Sequence, residues 1–275
     1  MVVIGGGATG LGIAVDASQR GFRVLLLEKN DFAKGTSSRA TKLVHGGVRY
    51  LAQGNLSLVR EALYERAVLL HNAPHIVQPL AFVMPSYKWW ETTFYGMGLM
   101  LYDLMAGKSA IGSTQFLNKQ QVLDRLPQVR SIGLRGGVQY WDGQFDDARL
   151  ALEIARTAQQ KGAVVLNYCS VESLAHQNHK LSGLIGKDAE TGRVFNVKAK
   201  CVINATGVWV DGIRAMDANT SLGKIEPMVT PSQGVHLVVD RSFLSKDFAL
   251  LVPSTQDGRV LFAVPWLGKV ILGTT

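Results

Sequence analysis

Three glycines at the spacing Gly5-x-Gly7-x-x-Gly10 follow directly on an apolar run, Val2-Val3-Ile4. In that position they do backbone chemistry. Gly5 permits a tight turn, Gly7 lets the main chain approach a pyrophosphate, and Gly10 lets the next helix pack close on the strand. The helix N-terminus then presents unpaired N–H groups and a partial positive charge to an anion. Glu28 closes the next apolar run, Val24–Leu27, where its carboxylate suits paired ribose hydroxyls and repels a 2′-phosphate. In a chain with 29 Gly the spacing alone is weak, and Gly96 and Gly98 begin a second match that fails. The strand before it and the helix after it make the first one a dinucleotide site.

A second group of residues could act on a substrate. A phosphate dianion calls for a fixed guanidinium, which binds two of its oxygens at once, but Arg49, after a Gly turn, reads by itself as a surface arginine. Imidazole titrates near working pH, so any of the six histidines could serve as a base; His236, on the apolar stretch Val235–Val239, reads by itself as a core residue. His45 sits in the loop Gly35–Tyr50 together with Thr36, Ser37 and Ser38, which by themselves read as an ordinary polar loop. His71 and His75 are split by Pro74, and His176 and His179 occupy a polar turn, so both pairs read as structural. No cluster of His, Cys, Asp and Glu reads as a metal site, and no Ser/Cys–His arrangement reads as a nucleophile.

The elements needed to position these groups follow from periodicity. Residues 1–28 predict strand, turn, helix (Leu11–Arg20) and parallel strand with a right-handed crossover. Leu56–Ala73 predicts a helix with Val59, Leu63, Ala67 and Leu70 on one face; Asp147–Gln160 predicts another, followed by the strand Ala163–Leu166. Glu190-Thr191-Gly192 and Asp257-Gly258 are hairpin signals, and residues 79–140 are aromatic and irregular. The chain thus opens α/β and closes rich in β.

Composition narrows the class. Hydrophobic residues are 47% and charged residues 18% of the 275, which excludes disorder. The formal charge of +8, from 29 Lys+Arg and 21 Asp+Glu, is spread along the chain and reads as a solvated surface, so nucleic acid is not expected as a partner. Two distant cysteines, Cys169 and Cys201, exclude a disulfide scaffold and fit a reducing compartment. The longest apolar window, Phe94–Met105, carries Asp103 and is too short to span a bilayer. No targeting segment is read at the N-terminus, although a core strand at the first residue predicts that the protein begins earlier.

Cys201-Val202-Ile203-Asn204-Ala205-Thr206-Gly207 resembles the second nucleotide-contacting motif of two-dinucleotide-binding-type flavoproteins, and with the first motif it points to FAD. More specific is Gly35-Thr36-Ser37-Ser38-Arg39-Ala40-Thr41-Lys42-Leu43-Val44-His45-Gly46-Gly47-Val48-Arg49-Tyr50-Leu51. It resembles the corresponding loop of FAD-dependent glycerol-3-phosphate dehydrogenases. The likeness continues in order through Glu65-Arg66, Tyr87-Lys88-Trp89-Trp90, Tyr102-Asp103-Leu104, Tyr140-x-Asp142-Gly143-Gln144, Gly234-Val235-His236 and Gly273-Thr274-Thr275.

The resemblance implies oxidation of sn-glycerol 3-phosphate to dihydroxyacetone phosphate, with electrons passing through FAD to a membrane quinone. It implies catalytic or substrate roles for His236, Arg49, Tyr50, His45 and Thr274. It implies cofactor contacts from Gly5, Gly7, Gly10, Glu28, Thr36, Ser37, Ser38, Lys42, Leu43, Val171, Ala205 and Gly207. Peripheral membrane contact is expected, with the region Trp89–Met105 as one candidate, at the cytoplasmic face of a bacterial inner membrane or at a mitochondrial inner membrane; a homodimer is compatible. An oxidase of the same substrate, an amine or hydroxyacid oxidase on the same fold, and a non-catalytic flavin-binding fragment are the competing readings.

The expected fold is α/β: a two-dinucleotide-binding-type, Rossmann-like FAD domain (1–78 and 141–220) with an antiparallel-sheet substrate domain (79–140 and 221–275). The family continues past Gly273-Thr274-Thr275 with further arginine- and glycine-containing segments, so the expectation is a chain truncated at its C-terminus.

Overall fold

The computed structural model describes residues 1–52, 54–218, 226–255 and 258–274; for Arg49, Ala52, Ala218 and Thr274 it describes the backbone alone. Packing divides the chain into two units, Met1–Ala40 with Asp147–Ser232, and Thr41–Asp146 with Gln233–Thr275. The first division thus falls after Ala40, where the sequence reading divides after 78. The reason is that residues 41–78 supply a strand and two helices whose partners all lie within the second unit.

Unit 1 holds a four-stranded parallel sheet in the order β11-β1-β2-β7, made of β1 (Val2–Ile4), β2 (Leu25–Leu27), β7 (Val164–Leu166) and β11 (Val202–Asn204). Successive side chains on a strand alternate between faces. Val3 and Leu26 therefore face helices α1 (Ala8–Gln19) and α6 (Asp147–Gln160), where Leu11, Ala14, Ala17, Ala151, Ala155 and Ala158 complete one core. Val2, Ile4 and Leu27 face the other way, onto an antiparallel sheet of β8 (Cys169–Gln177), β9 (Lys180–Asp188) and β10 (Val194–Lys198) and onto Ile213 of α7 (Val210–Ala218). A sheet covered on both faces needs strands apolar throughout, which is why VVI and LLL read as continuous runs.

Unit 2 is an eight-stranded sheet. Its first half runs β3 (Leu43–Val44), α2 (Val48–Ala52), α3 (Leu56–Asn72), β4 (Val77–Ser86), α4 (Glu91–Ala106), β5 (Gln115–Asn118), α5 (Lys119–Arg125) and β6 (Gly136–Phe145). The second half supplies β12 (Val235–Asp240), β13 (Ala249–Val252), β14 (Leu261–Trp266) and β15 (Lys269–Thr274). The order is β12-β15-β14-β13-β4-β6-β3, with β5 also on β6. The antiparallel expectation holds except at one joint, where β13 runs parallel to β4 because the two halves of the unit meet there. The long β4–β6 pair carries Phe82, Met84, Val138 and Tyr140 into one core, and Val83 into a second with Val122, Leu126 and Val270.

Candidate functional site

In unit 1 the candidate residues converge on the β1–α1 turn. Gly5 sits at φ +112°, where a side chain is strained, and a Cβ there would collide with the Ala205 carbonyl. A Cβ on Gly10 would collide in turn with the Gly5 carbonyl. The turn is therefore pressed against the end of β11, and the Ala205 N–H closes the contact by donating to Ile4 O at 2.8 Å. Gly7 caps α1 without a side-chain bond. The Ala8 N–H donates to Ser37 Oγ at 2.9 Å, which leaves the Ser37 hydroxyl proton as a donor. Thr36, Ser37 and Ser38 form a single turn of 3-10 helix, with Thr36 exposed.

Glu28 is held by its own neighbours. Oε2 accepts from the Gly6 N–H at 2.7 Å and Oε1 from the Asn30 N–H at 2.8 Å. The carboxylate thus fastens the Gly-rich turn to the end of β2, and each oxygen retains a lone pair for a hydroxyl. Asn204 shapes the second turn: its Oδ1 accepts from the Thr206 hydroxyl at 2.7 Å and its Nδ2 donates to Val210 O at 2.9 Å, with Gly207 at φ +58° between them. Val171 packs half-buried with Val2, Ile4 and Leu27. Phosphate-sized donors at a helix N-terminus, glycines that no Cβ could replace, and a carboxylate at the second strand end form a donor set that fits a dinucleotide.

Unit 2 holds Lys42, Leu43, His45, Arg49, Tyr50, His236 and Thr274. His236 lies on the edge strand β12 opposite Gly273, and a Cβ on Gly273 would strike the imidazole. The ring's Nε2 lies 2.9 Å from Thr41 Oγ1. His45 is exposed, and its Nδ1 accepts from the Gly47 N–H at 3.1 Å. Tyr50 is exposed and leans on Gly47, which is at φ +73°. Lys42, at φ +63°, accepts on its carbonyl from the Phe145 N–H, and Leu43 packs toward Leu80 and Tyr140. The side chains of Arg49 and Thr274 lie outside the described residues; their backbones belong to α2 and β15.

Beneath the His45 loop lies a cluster that sequence reasoning missed. Arg66 is 1% exposed and Asp142 2% exposed, and they pair at 2.9 Å. The Tyr102 hydroxyl donates to the other Asp142 oxygen at 2.9 Å and accepts from the Gly46 N–H at 2.8 Å. Burial pushes the Asp142 carboxyl above its ordinary value, while the Arg66 guanidinium pulls it back. Burial, and then the charge of Asp142, push the Tyr102 hydroxyl well above its ordinary value, so it stays a donor. A signal was present: Val59, Leu63 and Arg66 follow the i, i+4, i+7 spacing of a buried stripe, and a cation on such a stripe requires a buried partner. Thr41 carried no signal, because its role depends on a side-chain contact with His236, 195 residues away.

Among the described residues no group of His, Cys, Asp and Glu could hold a metal, and no helix is long and apolar enough to cross a membrane.

Comparison with known proteins agrees with this geometry. Residues 1–275 match the FAD dependent oxidoreductase (DAO) family. The mitochondrial glycerol-3-phosphate dehydrogenase of Rattus norvegicus is 46% identical over 288 aligned residues, covering 100% of this chain and 39% of the relative. That of Schizosaccharomyces pombe is 43% identical, with 44% of its length covered. The chain therefore spans well under half of the curated relatives it matches. Among solved structures, the glycerol-3-phosphate dehydrogenase of Bacillus halodurans complexed with FAD superposes with a TM-score of 0.74 at 37% identity, covering 100% of this chain and 46% of that one. The L-alpha-glycerophosphate oxidase of Mycoplasma pneumoniae shares the fold, with a TM-score of 0.67 at 18% identity over 100% of this chain and 70% of that one. The chain belongs to the FAD-dependent oxidoreductase family, and within it the sequence likeness is to the glycerol-3-phosphate dehydrogenases.

Proposed function

We propose that the protein containing this chain oxidises sn-glycerol 3-phosphate to dihydroxyacetone phosphate with FAD as cofactor. The observation that carries this reading is the 46% identity to a glycerol-3-phosphate dehydrogenase along the whole of this chain. When bound, FAD supplies the acceptor for the hydride that leaves C2 of the substrate. The Gly5–Gly10 turn and the first amides of α1 take the pyrophosphate, Glu28 takes ribose hydroxyls, and Thr36, Ser37, Ser38, Ala205 and Gly207 line the rest of the cofactor's path in unit 1. Lys42, Leu43 and Val171 are the further cofactor contacts of this reading.

Arg49 holds the substrate phosphate, with Tyr50 beside it. Binding energy gathered at that remote phosphate positions C2 for transfer. His236 receives the hydroxyl proton as C2 loses its hydride, so alcohol becomes ketone with charge balanced. Its Nε2 lies 2.9 Å from Thr41 Oγ1, and in the tautomer whose Nε2–H donates to that hydroxyl, Nδ1 is the accepting nitrogen. His45 and Thr274 complete the surroundings of the reacting carbon.

The electrons then pass to a membrane quinone, and attachment to the inner membrane is peripheral. The feature in favour is α4, which buries Gly96, Leu99, Tyr102 and Ala106 on one side. It leaves Phe94, Met97, Leu101 and Leu104 as a second apolar stripe, Leu104 being 76% exposed; Trp89, just before the helix, is 80% exposed. Tryptophan fluorescence that does not shift on adding vesicles of anionic phospholipid would remove α4 from the membrane contact.

Anaerobic addition of glycerol 3-phosphate to the flavin-loaded protein tests the main reading. Bleaching of the visible flavin band is expected, and Arg49→Ala should raise KM while His236→Ala slows the bleaching itself. A flavin that stays oxidised in excess substrate would end the assignment. Peroxide released in air without added quinone would reassign the acceptor to oxygen.

A further inference from the structure

The loop that carries His45, Arg49 and Tyr50 is attached to the sheet of unit 2 by very little ladder. β3 is two residues long and pairs Leu43 with Gln144 and Val44 with Gly143. Past Val44 the backbone leaves the strand, and its next fixed point is Gly46. The Gly46 N–H reaches the Tyr102 hydroxyl at 2.8 Å and Asp142 Oδ1 at 3.3 Å. Glycine is required there, because a Cβ would meet both the Tyr102 hydroxyl and Leu63.

The far side of this anchor is equally defined. The Tyr102 hydroxyl donates to Asp142 Oδ2 at 2.9 Å, and Arg66 Nη1 donates to Oδ1 at 2.9 Å. Arg66 Nη2 also donates to Ser109 O at 3.3 Å, so helices α3 and α4, strand β6 and the loop all meet at one carboxylate. A buried ion pair is a poor source of stability, since desolvation offsets most of the attraction. What it does supply is direction: the Tyr102 hydroxyl and the Asp142 carboxylate together fix where the loop amide sits.

On the reading that Arg49 binds the substrate phosphate, we infer that Tyr102 and Asp142 are positioning residues for the reaction, acting through the Gly46 amide to set the loop that carries His45 and Arg49. Neither residue has to touch the substrate. The coupling is short: Gly46 precedes Gly47, whose N–H is held by His45 Nδ1, and Gly47 O in turn accepts the Tyr50 N–H at 2.8 Å. A shift of the Gly46 amide therefore moves the start of α2.

The test uses the flavin-loaded protein. Tyr102→Phe removes one hydroxyl and keeps the ring, so the fold is retained. KM for glycerol 3-phosphate should rise about ten-fold, as sub-ångström misplacement of a binding group does, with kcat less affected. The visible flavin spectrum should not change. The Nδ1 resonance of His45 in 15N-histidine spectra should move, while that of His236 stays. Asp142→Asn, which keeps the shape and loses the charge, should do the same to KM. Leu126→Ala, in the core on the opposite face of the sheet, is the control: it should lower the Tm at least as much and leave KM alone.

An unmoved His45 resonance with unchanged KM in Tyr102→Phe would overturn the inference. So would an equal rise in KM in Leu126→Ala. If Arg49→Ala itself leaves KM unchanged, the reading of the site is what fails. A raised KM in Arg49→Ala beside a normal Tyr102→Phe defeats the positioning role alone.

Discussion

The Gly5–Gly10 turn of unit 1 and the Thr41–Tyr50 loop of unit 2 both present chemical groups at the end of a strand, but they are held in opposite ways. The turn is held by what it lacks: a single Cβ would drive backbone into backbone, against Ala205 at Gly5 and against Gly5 itself at Gly10. The loop is held by what lies beneath it, a buried arginine, carboxylate and tyrosine drawn from three distant elements. The first is a main-chain site and tolerates no side chain. The second is a side-chain site and tolerates no loss of a partner.

The sharpest break in that contrast comes from Arg66. Arg66→Leu leaves the Asp142 carboxylate buried without its cation, which should cost about 3–5 kcal/mol in denaturant unfolding. Adding Asp142→Leu should recover most of that loss, because an apolar pair replaces a buried ionic one at little cost. If the double variant is no better than the single one, the cluster is more than an ion pair. Gly10→Val probes the turn: overpacking against the Gly5 carbonyl should cost roughly 1–3 kcal/mol and abolish flavin retention, read as colourless purified protein. Glu28→Gln is milder. It trades a charged acceptor for a neutral one at two backbone amides, which should cost roughly 1 kcal/mol and weaken FAD to a similar degree, measured by titration of the apoprotein.

The smallest effect is a matter of pH. Asp211, in the first turn of α7, accepts from Arg214 and from the Met228 and Val229 amides, and these bonds, Arg214 first, hold its carboxyl below the ordinary range. A folded value below the unfolded one means the stabilisation is complete above the ordinary carboxylate range and is lost as pH falls through the folded value. Amide exchange at Met228 and Val229 should therefore stay slow to below pH ~4 and then accelerate. Exchange that quickens well above that range would show that Asp211 does not hold the segment.

What could be read from the sequence follows the same division. The Gly-rich turn, α1, β1, β2 and Glu28 were legible because each rests on residues within thirty positions and on a periodicity that burial on both faces enforces. Residues 79–140 were not legible. β4 is buried on both faces for most of its length and so shows no alternation, and α4 is apolar on two sides, so neither announces its period. The division after Ala40 was missed for a related reason: Leu43–Val44 pairs with Gln144–Gly143, and a two-residue strand leaves no signature. Thr41 beside His236 is the extreme case, a side-chain contact across 195 positions that no local pattern announces.

The most direct test of the division of labour between turn and loop is a pair of titrations on Arg49→Ala, apoprotein with FAD and then flavin-loaded protein with glycerol 3-phosphate. FAD affinity should match the unaltered protein, while substrate binding weakens about ten- to hundred-fold from loss of a charge-assisted bond. If FAD affinity and substrate affinity fall together, or if the substrate binds as before, the loop does not hold the substrate independently of the turn that holds the cofactor.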